Sequence, residues 1–244
     1  MIGFLPTSIS ALLPGSSGGA GVSGVGLEVL TPFPHGGLIL VASMELFPEW
    51  PQNPQHCRFF QDPKDFLANY LWREWMARVG GHGSPGDPGL QPGEVVLAAD
   101  NLGKPFLRGA PHPAPAISFS RGGSRLWAAL GGAPSGLGLD AASSREFAGG
   151  YPWHRVFHDL ELEHSQKYTG GDRPEAAALL WSAKEAAVKS LGCAFHFFGP
   201  RHLRVRFAGP WPQGLLWQVI LSGVGVVRGA SLRREGVWLS LALG

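Results

Sequence analysis

The chain has 244 residues, 44% of them hydrophobic and 16% charged, with a formal net charge of +2. That balance excludes disorder of the whole chain and a general nucleic-acid binder. Two cysteines, Cys57 and Cys193, are too few for a disulfide framework or a cysteine-built zinc site and fit a reducing cytoplasm.

Residues 1–26, rich in Gly and Ser, read as a flexible segment. The first Lys or Arg is Arg58, so the basic region of a secretory signal is missing. An apolar stretch at 37–47 reads as a buried strand, and the spacing after the prolines at 48, 51 and 54 predicts a helix over about 58–79. A Gly/Pro-rich loop at 80–93 precedes a strand at 94–99, a turn at 101–105, and strands at 116–120 and 126–130. The halves are expected to divide near residue 131, giving a first half of 27–131 and a second of 132–244. The second opens on an apolar strand end at 137–140 and continues with a helix at 153–168. A helix at 173–191 follows, with Asp172 as cap, Pro174 in its first turn and Gly192 beyond its end. Strands at 203–207, 215–222, 224–230 and 236–243 complete an α+β pattern met twice. The longest apolar stretch, 215–227, is shorter than the roughly 20 residues of a membrane helix.

Helix 173–191 carries the chemistry. Trp181, Glu185 and Lys189 stand at i, i+4 and i+8 and share one face of a helix whose surrounding turns are rich in Ala, Leu and Val. A carboxylate and an ammonium on a buried helix need a partner. Asp140, a lone carboxylate ending the apolar strand Gly138-Leu139-Asp140, is a candidate, although an Asx turn is the commoner fate of such an aspartate. Two carboxylates from separate elements, with a lysine, suit a magnesium ion bridging phosphate oxygens. His154, His158 and His164 lack a tight ligand spacing, and the nine tryptophans read as core and cleft lining. Arg201, Arg204 and Arg206 read as one strand face, solvated or open to an acidic carrier protein.

Gly138-Leu139-Asp140 followed by Trp181-Ser-Ala-Lys184-Glu185-Ala-Ala-Val-Lys189 resembles the signature of the 4′-phosphopantetheinyl transferases. Gly103-Lys104-Pro105 and Ile117-Ser118-Phe119-Ser120-Arg121 are similar to upstream motifs of the larger, surfactin-type branch, so the resemblance covers roughly 58–192. It implies two α+β halves in a pseudo-two-fold arrangement, with coenzyme A in the cleft between them. It further implies a monomeric, cytoplasmic, Mg2+-dependent enzyme. That enzyme moves phosphopantetheine onto a serine of an acyl or peptidyl carrier protein and releases adenosine 3′,5′-bisphosphate. Asp140 and Glu185 would hold Mg2+, Glu185 would also accept the serine proton, and Lys189 and Lys184 would offset phosphate charge. Lys104, Ser120, Arg121 and Arg58 would bind the nucleotide end. Three departures stand out: Ala142 replaces the second acid of the usual Asp-x-Glu, Arg121 replaces a histidine, and the basic residues before the first helix are few. The missing acid also suggests a homologue that binds coenzyme A or a carrier without transfer, and an unrelated Mg2+-dependent phosphohydrolase is a third reading.

Overall fold

Alternation of apolar residues builds two antiparallel sheets, each covered on one face by a long helix, in the computed structural model of the chain. It describes residues 25–33, 37–46, 62–79, 95–132, 136–193, 195, 199–223 and 225–244. Strands β1 (Val25–Leu30), β2 (Ile39–Glu45), β5 (Ala116–Gly122) and β6 (Arg125–Gly131) form a sheet in the order β1-β2-β6-β5. Helix α1 (Pro63–Val79) lays Leu67, Ala68, Leu71 and Trp72 against it. Strands β3 (Val96–Ala99) and β4 (Pro105–Arg108) make a separate hairpin. The second sheet runs β7-β11-β10-β9-β8, with β7 (Leu137–Ser143), β8 (Leu203–Trp211), β9 (Gly214–Leu221), β10 (Gly225–Arg234) and β11 (Val237–Leu243). Its helices are α2 (Trp153–Val156), α3 (Asp159–Gln166) and α4 (Arg173–Ser190). The fold is α+β, and among the described residues no helix is long and apolar enough to cross a membrane.

Several boundaries differ from expectation for local reasons. The helix expected over 153–168 is two helices. His158 takes an extended conformation between them and caps α3 through a reciprocal box with Glu161. Val25 and Gly26, read as tail, belong to β1, which pairs in register with β2. Arg201 lies in a short 3-10 turn, where its Nη1 donates to the His154 carbonyl, so only Arg204 and Arg206 share the outer face of β8. Arg58, the first residues of the helix expected from 58, and the 80–93 loop lie outside the described residues.

The helix-free faces of the two sheets meet in a shared core that includes Ile39, Val41, Trp127, Leu139 and Leu241. At its border the edge strands β5 and β7 lie side by side. The Leu139 N–H donates to Ser118 Oγ at 2.9 Å, and the Ala141 N–H donates to Ser120 Oγ at 3.1 Å. Gly122 permits this approach, since a Cβ there would stand 2.6 Å from that of Ala141. Gly122 therefore serves the contact between the halves.

Helix α4 is capped by Asp172, whose Oδ1 accepts the Glu175 N–H at 2.8 Å, and is buried on nearly every side by its run of alanines. Small residues let it sit directly on β7. A Cβ on Gly138 would fall 1.9 Å from the Ala186 carbonyl oxygen and 2.6 Å from the Ser190 nitrogen. Gly138→Ala should thus cost about 1–3 kcal/mol or more by overpacking and lower Tm by several degrees. Gly199→Ala, with nothing within 4 Å of the added methyl, should leave Tm nearly unchanged. Equal Tm values for the two variants would refute the close approach of α4.

Candidate active site

Period-two alternation sends Gly138, Asp140 and Ala142 of β7 toward α4. Asp140, 5% exposed, meets there the helix face that carries Glu185 and Lys189. Lys189 Nζ stands 2.6 Å from Asp140 Oδ1, 3.4 Å from Glu185 Oε2 and 3.2 Å from the Leu139 carbonyl. One ammonium therefore bridges two carboxylates from different elements. Ser120 Oγ reaches the same carboxylate from the first half, donating to Asp140 Oδ1 at 2.8 Å.

The cluster holds two negative charges against one positive. Burial raises the Glu185 carboxyl above the usual carboxylate range; the Asp140 charge adds to that, and Lys189 opposes it. For Lys189 burial alone would lower the ammonium's value, but Asp140 and then Glu185 outweigh it and hold it above that of an ordinary lysine.

Lys189 also lines a cleft of about 560 Å3 between the halves, together with Lys64, Lys104, Phe119, Leu137 and Cys193. Lys64 Nζ lies 5.9 Å from the Phe119 ring centroid. Lys104 follows a turn in which Asp100 Oδ1 accepts the Leu102 and Lys104 N–H groups, each at 2.9 Å. From there Nζ donates to the Ser190 carbonyl at 3.2 Å, placing a cation at the negative end of α4. Three regions far apart in sequence thus put three lysines around one cavity of ligand size.

The remaining expected site residues stand elsewhere. Lys184 has no accessible surface: Nζ is 2.8 Å from Glu161 Oε2, bonds the Val156 carbonyl at 3.3 Å and lies over the Phe157 ring. Glu161 is in turn fixed by the Val205 N–H at 2.8 Å. Lys184 therefore joins α3, α4 and β8, and burial lowers its value although Glu161 opposes the shift. The side chain that the resemblance has offsetting phosphate charge is thus enclosed by protein and paired with Glu161. Arg121 is exposed at the end of β5, outside the residues that line the cleft. Ala142 is buried in the core beside α4, in one cluster with Phe147 and Trp238, so the position of the second acid is here apolar packing. Among the described residues no group of three or more His, Cys, Asp or Glu could hold a metal ion. The two-carboxylate set is what remains. Sequence reasoning passed over Ser118, which lines the cleft, although its i, i+2 spacing from Ser120 on a strand signals a shared face.

Residues 136–213 match the family model of the 4′-phosphopantetheinyl transferase superfamily. The match spans β7, α4 and β8 and so contains Asp140, Glu185 and Lys189. This stretch is similar to the phosphopantetheinyl transferase superfamily; Lys104, Ser120 and Arg121 lie before it. No curated protein matches the chain.

The raised Glu185 value has a thermodynamic sign. Between the ordinary glutamate value and the raised one the folded state binds more protons than the unfolded, so stability falls as pH rises through that window. Ligand-free Glu185→Gln, which lacks the ionised form, should therefore melt higher than the parent at neutral pH, and the gap should close as pH drops below the ordinary glutamate value. A lower Tm for Glu185→Gln at neutral pH would contradict the electrostatic description of the cluster.

Proposed function

We propose that this protein transfers the 4′-phosphopantetheinyl group of coenzyme A to a serine of an acyl or peptidyl carrier protein, with Mg2+ as its metal. In this reading it is a monomeric, cytoplasmic member of the surfactin-type branch, its halves related by a pseudo-two-fold axis. One observation carries the proposal: Asp140, Glu185 and Lys189 meet beside a lysine-lined cleft, within the stretch that matches the transferase superfamily.

The donor chemistry fits the metal. Mg2+ takes hard oxygen ligands, commonly one or two carboxylates completed by phosphate and water, and Asp140 and Glu185 already converge on one cation, the Lys189 ammonium. Asp140 and Glu185 would hold the ion, which when bound neutralises pyrophosphate charge and aligns its oxygens. Lys104, Lys189 and Lys64 draw the phosphates into the cleft, while the exposed Arg121, with Arg58, serves the nucleotide end. Glu185, with its value raised, accepts the proton of the carrier serine directly or through a water. The serine oxygen forms a bond to the phosphorus that bears pantetheine. The phosphorus–oxygen bond to adenosine 3′,5′-bisphosphate breaks, and Lys189 offsets the charge that develops.

A second reading, a homologue that binds coenzyme A or a carrier without turnover, draws on the burial of Ala142 where the related pattern has an acid. One experiment separates them. Incubated with coenzyme A, Mg2+ and an apo-carrier, the protein should add the mass of phosphopantetheine to the carrier, and chelation of Mg2+ should stop the addition. Glu185→Gln should slow transfer by about 100-fold or more while remaining folded. An unmodified carrier with intact coenzyme A would leave the binding reading, an unmodified carrier with degraded coenzyme A a phosphohydrolase, and near-parental turnover by Glu185→Gln would remove Glu185 from the chemistry.

A further inference from the structure

We infer that Ser120 is a positioning residue, which sets the orientation of the Asp140 carboxylate from across the junction of the two halves and does not itself bind a coenzyme phosphate. The inference rests on the reading of Asp140 as a metal ligand.

A serine hydroxyl has one proton to donate and lone pairs to accept with. Ser120 Oγ accepts the Ala141 N–H at 3.1 Å, so its proton points away from that bond, and it lies on Asp140 Oδ1 at 2.8 Å. The side chain is buried, and these two bonds engage its proton and one of its lone pairs within the protein. Lys189 Nζ approaches the same oxygen at 2.6 Å. Both contacts fall on Oδ1, so together they fix the plane of the carboxylate and the direction in which Oδ2 points. A two-carboxylate site depends strongly on such a constraint. With Ala142 in the core, no neighbouring acid on β7 can compensate for a rotated Asp140.

Ser118 provides an internal control. It is buried on the same face of β5 and bridges to β7 in the same way, accepting the Leu139 N–H at 2.9 Å, but it contacts no carboxylate. If hydroxyls on β5 serve only to close the junction, replacing either serine should act alike. If Ser120 orients a ligand, only its loss should reach the metal.

Mn2+ binding to the full chain, titrated by electron paramagnetic resonance with saturating coenzyme A, distinguishes the two. Ser120→Ala should weaken Mn2+ binding about 10-fold or more, the usual effect of losing a group that orients a metal ligand. Ser118→Ala should change it by less than about threefold, and Ser120→Thr should restore it. Coenzyme A affinity measured without metal should be the same for Ser120→Ala and the parent. Thermal melts verify that each variant folds; should Ser120→Ala fail to, Ser120→Thr against Ser120→Cys gives the same comparison with the hydroxyl kept or exchanged for a weak donor. Parental Mn2+ affinity in Ser120→Ala, an equal loss in Ser118→Ala, or weakened metal-free coenzyme A binding would each overturn the positioning role. Asp140→Asn tells this failure apart from that of the parent reading: if it leaves Mn2+ binding unchanged, Asp140 is not a ligand and both fall.

Discussion

Two sheet edges meet in this protein, and the way their unpaired backbone groups are satisfied organises the rest. A buried N–H without a partner costs about 1–3 kcal/mol, so β5 and β7 cannot simply abut. Ser118 and Ser120 accept the Leu139 and Ala141 N–H groups in place of a backbone ladder. Side-chain bridging puts polar groups at the border of the two sheets. The cleft opens beside that border, and Asp140 lies on the strand that forms it.

Helix α4 supplies the second constraint. Its alanines and Gly138 of β7 bring helix and strand into backbone contact, which leaves no freedom in where Glu185 and Lys189 stand relative to Asp140. Two lysines five residues apart then meet opposite fates. Lys184 projects into the second half, where Glu161 neutralises it completely; such a buried pair fixes the packing of α3 on α4 more than it stabilises the fold. Lys189, on the face turned to β7, meets two carboxylates and itself lines the cleft. A neutral pair is a finished structural element, whereas the two carboxylates around Lys189 stand beside a cleft lined by Lys64, Lys104, Asp62 and Asp65, the setting on which the proposed metal and phosphate roles rest.

Much of this was legible in the sequence. The i, i+4 spacing of Glu185 and Lys189 and the carboxylate at the end of an apolar strand gave the cluster itself. Asp172, Pro174 and Gly192 marked the helix that carries most of it. What periodicity could not show was the direction of single side chains on a helix buried all round. Helical spacing separated Lys189 from Lys184, but the enclosure of Lys184 depends on Glu161, 23 residues upstream, which spacing does not bring alongside. The bonds of Ser120 to Asp140 and Ala141 were not legible, because these partners lie on a strand that composition cannot bring alongside. The break at His158 was hidden in the same way, since a capping box inside a helical pattern resembles ordinary helix surface.

A crystal structure of the protein with coenzyme A and Mg2+ is the most direct measurement. The metal should lie between Asp140 and Glu185, with the pyrophosphate against it and Lys104 and Lys189 on the phosphate oxygens. The Ser120 hydroxyl should remain on Asp140. A metal bound elsewhere, or coenzyme A seated outside the cleft between the halves, would contradict the assignment of this cluster as the active centre.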